Sequence, residues 1–181
     1  MKPALRPCAI SATLLAGLVL CHAIAAAELL LNSERIQQRF GSYGVEIVRA
    51  DAKRRVSSLY STTDSSENIC RTYAVVEFNQ PIDRRLLAEH ERIVSGESIG
   101  TVFAEAGWIV LKETLFIGES DASGYDDNLG RLMHIDGEQT LATHRYRFIV
   151  SRNNELIEYA TITEVHHPDY LDTAGLHAIY D

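Results

Sequence analysis

Two strand-length runs of apolar and β-branched residues, 69–78 and 156–165, constrain this chain more than any other feature in it. Both are too apolar to lie open to water, yet each carries charges, among them Arg71 in the first and Glu164 in the second. Taken with period two, Leu156, Ala160, Ile162 and Glu164 share one face, so a carboxylate ends a mostly apolar row. Such a group is costly to bury unless it is paired or protonated. Arg71 is the natural partner, and an arginine and a carboxylate projecting from two strands of one sheet define a small polar pocket. The same two residues also fit a plain buried ion pair, without function.

The N-terminus reads as a targeting segment. Lys2 and Arg6 are followed by an apolar stretch, 9–20, and then by Ala25, Ala26 and Ala27 ahead of Glu28. This is the layout of a secretory signal peptide, with an apolar run too short to span a bilayer comfortably. Leu20 is a poor neighbour for lipid attachment at Cys21, so cleavage after Ala27 is expected, with export to the periplasm or beyond. That leaves 154 of the 181 residues, 28–181, as a single domain with no membrane span of its own. A domain of this size buries about two thirds of its unfolded surface without disulfides. Losing Lys2 and Arg6 takes the formal charge from −8 to −10, which argues against nucleic acid or anionic membrane partners. Cys70 is the one cysteine beyond the segment and reads as a small buried strand residue.

Periodicity orders the rest. Asn32 or Ser33 caps a short helix with Ile36 and Phe40 inward, stopped by Gly41. A strand follows at 45–50, then a hairpin of 55–62 and 69–78. Pro81 and Asp83 open an amphipathic helix whose inner stripe holds Leu86, Leu87, Ile93, Val94 and His90, a core histidine. Ser98 caps a shorter helix with Ile99, Val102 and Phe103 inward. Residues 108–117 form a strand, 119–128 an acidic loop and 131–135 a short strand before a turn at Asp136-Gly137. The last hairpin, 145–151 with 156–166, turns at Asn153-Asn154 and ends at Pro168. Helix, three strands, two helices, then three or four strands is the order of an α+β domain with a largely antiparallel sheet of about six strands.

Four segments in this order resemble the chorismate lyase superfamily, which includes the ligand-sensing domain of many GntR-type regulators. Residues 33–51 look like its opening helix and first strand, Arg71-Thr72 with Ala74-Val75-Val76 like its arginine-bearing strand. Residues 96–103, centred on Ile99-Gly100, look like the turn and helix after its long helix, and Ile162-Thr163-Glu164-Val165 with Pro168 like its closing strand. The resemblance implies a pocket for a cyclic or aromatic carboxylate and elimination of pyruvate from chorismate to give 4-hydroxybenzoate. It implies that Arg71 holds a substrate carboxylate, Glu164 meets the ring hydroxyl as the catalytic group, and Ile47 and Ile99 supply walls, with no metal or cofactor. The sequence departs from the family in having Ile47 where methionine is familiar and an acidic insertion at 119–139. Export also separates it from cytoplasmic chorismate, which leaves a non-catalytic binding module of the same fold as the rival expectation.

Other motifs carry less. Gly96-Glu97-Ser98-Ile99-Gly100 fits a serine nucleophile elbow, but that turn needs a strand before the serine, where a helix is expected. His166 and His167 are adjacent in a strand and point to opposite faces, so they do not chelate one ion, and one of them is expected to be exposed. The acidic loop lacks the alternating ligands of a calcium site.

Overall fold

The computed structural model describes residues 30–136 and 139–181; the expected targeting segment and Gly137 lie outside them. The described residues form an α+β fold in which six antiparallel strands make one sheet, in the order β1-β2-β3-β6-β5-β4. The strands are β1 (Gly44–Ala50), β2 (Arg54–Thr62), β3 (Asn68–Phe78), β4 (Ile109–Asp121), β5 (Thr140–Arg152) and β6 (Glu155–His166). The helices are α1 (Asn32–Phe40), α2 (Leu87–Val94), α3 (Ile99–Glu105), α4 (Leu129–Met133) and α5 (Thr173–Tyr180). No helix among the described residues is long and apolar enough to cross a membrane.

The two apolar runs are the central strands, β3 and β6, and pair directly. They can be apolar throughout because both faces of the sheet are covered where they lie. On one face Val76, Phe78, Phe148, Tyr159 and Ile162 pack with Leu86, Ile93, Val102 and Phe103 from the α2–α3 segment. On the other, Tyr73, Val75 and Val165 pack with Leu129 and Met133 of α4. Full burial of each such side chain stabilises the fold by about 1.5–3 kcal/mol. Cys70 lies in the second cluster, 1% exposed, and burial raises its thiol to about 12, so it is an inert core residue.

Turn chemistry fixes the register. Asn153 and Asn154 both take positive φ, 54° and 65°, the backbone that a tight hairpin with right-handed twist requires and that asparagine tolerates. Of the four bulges in the described strands, two reset the pleat of the central pair. In β6, Ala160 faces Phe148 while Glu158 faces Ile149, so Tyr159 is an extra residue. In β3, Thr72 faces Leu59 while Cys70 faces Tyr60, which makes Arg71 the extra one.

Several expectations are corrected. The Tyr159 bulge takes Leu156 off the face of Glu164 and leaves it 66% exposed, with Ile157 buried instead. Residues expected as a strand at 131–135 begin within α4, since Leu129 and Met133, one turn apart, both reach the core. β4 runs on to Asp121 in place of a loop from 119, and α5 closes the described chain where no element was expected. Neither His166 nor His167 is exposed: His166 is 1% and His167 5% accessible.

Candidate functional site

A hollow of about 60 Å³ lies between the sheet and the segments that carry α1 and α3. Alternation explains its floor. Ala74 faces Glu164 across β3–β6, and His144 faces Glu164 across β5–β6, so these side chains share the pleat. Arg55, Ser57 and Leu59 reach it from β2, Tyr146 and Phe148 from β5, and Lys112 from the edge strand β4. The roof is Leu31 and Asn32 at the start of α1, with Ile99 and Gly100 at the start of α3. Ser98 stands at the cap position of α3 but makes no capping bond, and a helix precedes it; it lines the hollow and is no nucleophile elbow.

Glu164 is 4% exposed. Its Oε1 accepts a hydrogen bond from Asn32 Nδ2 at 3.3 Å, and its Oε2 lies 3.8 Å from Lys112 Nζ. That oxygen has no hydrogen-bond partner among the described residues. Burial pushes the carboxyl upward, but Lys112, His166, His144 and Arg35 together outweigh it and hold Glu164 at about 2. It is therefore an ionised acceptor at neutral pH. His144 and His166 flank it; burial drives both down to about 4 against the pull of Glu164, so both are neutral. His166 Nδ1 meets Thr72 Oγ1 and His144 Nε2 meets Thr114 Oγ1, each at 3.1 Å. Their other ring nitrogens are buried without partners.

Arg55 is the second cation of the hollow and is only 2% exposed. Its Nε donates to Ser57 Oγ at 2.8 Å, and its Nη1 to the carbonyls of Ile93 and Glu97 at 2.6 and 2.7 Å. Nη2 makes a longer contact, 3.5 Å, to Gly96 O. Ile93 lies in the last turn of α2 and Gly96 and Glu97 just beyond it, where the helix macrodipole favours a cation. Among the described residues no carboxylate shares the charge: the groups acting on Arg55 are Tyr43 and Tyr159, and burial lowers its pKa. Arginine stays protonated even so.

Of the residues expected at the site, Glu164 and Ile99 line the hollow, whereas Arg71 and Ile47 do not. Arg71 is buried, but its bulged position sends the side chain to the end of the sheet. There its Nε donates to Ser61 Oγ at 2.8 Å and the guanidinium lies 4.0 Å from the centre of the Phe40 ring. Ile47 gives way to Val45, two residues earlier on β1. The expected Arg71–Glu164 partnership is thus replaced by Arg55 at the β2 end, Lys112 at the β4 end and Glu164 between them.

Asn32 was expected as a helix cap. The cap position belongs to Leu31, and Asn32 turns inward: it donates to Thr72 and Glu164 and accepts from Tyr170 Oη at 2.6 Å. Among the described residues no group of histidines, cysteines and acids is arranged to hold a metal ion. No protein-family model matches the chain, and no curated protein matches its sequence.

Proposed function

We propose that this is an exported small-molecule-binding domain that resembles the chorismate lyase superfamily and takes a cyclic or aromatic carboxylate in the hollow. The observation that carries the reading is a charge imbalance in a buried place. Arg55 and Lys112 face one carboxylate, so the lining holds one positive charge in excess. An anion relieves that excess and accepts from a guanidinium that has no acidic partner. At the other end Glu164 Oε2 is an open acceptor, suited to a ring hydroxyl. Ala74, Val76, Phe148 and Ile162 give the apolar walls between these two ends.

As it stands the hollow, at about 60 Å³, has room for only a few water molecules and is well below the size of ordinary ligand sites. Seating a ring therefore needs the roof to lift, and Leu31 is the piece that closes it. With chorismate bound, the leading reaction is loss of the enolpyruvyl side chain as pyruvate. The ether C–O bond breaks, the ring gives up a proton to become 4-hydroxybenzoate, and the side chain gains one. The chain contributes orientation and a dry enclosure, with Glu164 accepting the ring hydroxyl.

A binding module without catalysis is the second reading. It is favoured by the absence of a proton donor poised near neutrality around Glu164, since Glu164 titrates at about 2 and His144 and His166 at about 4. Incubating the purified protein with chorismate and following 4-hydroxybenzoate separates the two. Product that disappears in Arg55→Lys and Glu164→Gln supports the lyase; saturable binding without product supports the module. Undiminished turnover in both variants removes the hollow from the reaction.

A further inference from the structure

A groove of about 630 Å³ runs beside the hollow, and Leu31 and Lys112 line both. We infer that the two spaces are one ligand site: the hollow takes the carboxylate end, and the groove takes an apolar substituent on the opposite end of the same molecule. The ligand class is then an amphiphilic cyclic monocarboxylate with an aliphatic tail. This rests on the reading of the hollow given above.

Three observations support it. The first is size, since the hollow is far smaller than ordinary ligand sites of ~300–1,000 Å³ while the groove falls inside that range. The second is the chemistry of the groove. Trp108, Ile109, Leu111, Ile179 and Tyr180 line it, and Ile109 and Leu111 are 64% and 42% exposed. Apolar side chains this open on an edge strand gain by being covered.

The third is the wall between the spaces. Lys112 Nζ is held by Glu164 at 3.8 Å, lies 4.4 Å from the centre of the Tyr146 ring and reaches Tyr180 Oη at 3.5 Å, so its head stands at the boundary between hollow and groove. Leu31 is the other divider. It is seated so closely on Gly100 that a Cβ there would come within 2.9 Å of its Cδ2. A leucine tip resting on a glycine is a light barrier, and its displacement joins the spaces. A ligand anchored at Arg55 then passes Glu164 and leaves beside Lys112 into the groove.

The test uses 4-(alkylamino)benzoates from methyl to octyl, which keep a carboxylate for Arg55 and an N–H for Glu164 while extending the tail. Trp108 is the single tryptophan and lines the groove, so its fluorescence reports on occupancy. Each added methylene is expected to tighten binding by about two- to fourfold until the groove is full, with a growing change in emission. Ile109→Asp and Leu111→Asp, both at exposed positions, are expected to erase the chain-length gain while 4-hydroxybenzoate still binds normally. Equal affinity along the series, with 4-hydroxybenzoate bound, overturns the inference and leaves the hollow standing. A gain with chain length that Arg55→Lys does not weaken also overturns it, because the spaces then act separately. So does a dimer that Ile109→Asp dissociates, since a second copy then covers the groove. Binding by no member of the series overturns it together with the reading of the hollow.

Discussion

Replacing Lys112 by methionine should expose how Glu164 tolerates its burial. The pair sits at 3.8 Å with side chains 10% and 6% exposed, and no hydrogen bond joins the two groups. At this spacing two unit charges attract by about 4 kcal/mol at an effective dielectric of about 20, and by about 1 kcal/mol in water. The geometry lies between these limits, so a coupling of about 2 kcal/mol is expected from a double-mutant cycle with Glu164→Gln. Lys112→Met alone should cost about 3 kcal/mol, because it strands a buried carboxylate, and should raise the pKa of Glu164 from about 2. In the double variant that stranded charge is gone, and much of the loss should return. Urea unfolding of the four proteins at pH 7 measures the cycle, and carboxyl-carbon NMR follows Glu164. Additivity to within about 0.5 kcal/mol would refute the reasoning, since Glu164 would then owe nothing to Lys112.

The two arginines should separate. Arg55→Met removes the donors that satisfy Ser57, Ile93 and Glu97, and should cost ~3–5 kcal/mol by unfolding and abolish carboxylate binding in a thermal-shift titration. Arg71→Met loses one hydrogen bond and a ring contact, should cost about 1–3 kcal/mol, and should leave binding intact. Acid should weaken the fold in two stages. His144 and His166 titrate at about 4 folded against an ordinary 6.5, so the unfolded chain binds more protons between those values. Stability is therefore expected to fall as pH drops through that window, by up to about 1.4 kcal/mol per pH unit for each histidine. Below the ordinary carboxyl value of 4.5 Glu164 adds to the loss down to about 2. Urea midpoints from pH 7 to 3 check both stages, and a flat profile would contradict the buried neutral imidazoles. Gly100→Ala should change stability by no more than about 1 kcal/mol, since alanine favours helix and the clash meets only a leucine tip, yet speed ligand association in stopped-flow fluorescence.

Much of the fold was legible in the residues because pattern and turn chemistry agree. The runs 69–78 and 156–165 could only be buried strands, and Asn153-Asn154 marks the hairpin that pairs β5 with β6. Glu164 was legible for the same reason: a charge in an apolar run must have a partner. The partner was not legible. Arg71 fits the argument equally well on paper, but a bulge places it beside Phe40, and no periodicity reveals an extra residue in a strand. Arg55 did leave a signal, since Arg55, Ser57 and Leu59 alternate onto one face; it was hidden by lying next to Arg54 at a strand start. Lys112 gave none, because Val110 and Leu111 before it and Leu115 and Phe116 after it place apolar residues on successive positions, which leaves the strand's phase undefined. α4 was missed because its five residues are too short for a helical period to stand out, and α5 because Ala174, Leu176, Ala178, Ile179 and Tyr180 are spread around the helix and mark no single face.

The central claim is that Arg55 and Glu164 look into one space that accepts a carboxylate. Nitrogen-15 NMR of the arginine Nε–H groups and backbone amides, during a titration with 4-hydroxybenzoate, tests it most directly. Saturable shifts at Arg55 Nε and at the Ile99 and Gly100 amides, with Arg71 Nε unmoved and the amide response lost in Arg55→Lys, are the expected result. Shifts confined to Arg71 and the Phe40 region, or none at all, would contradict it.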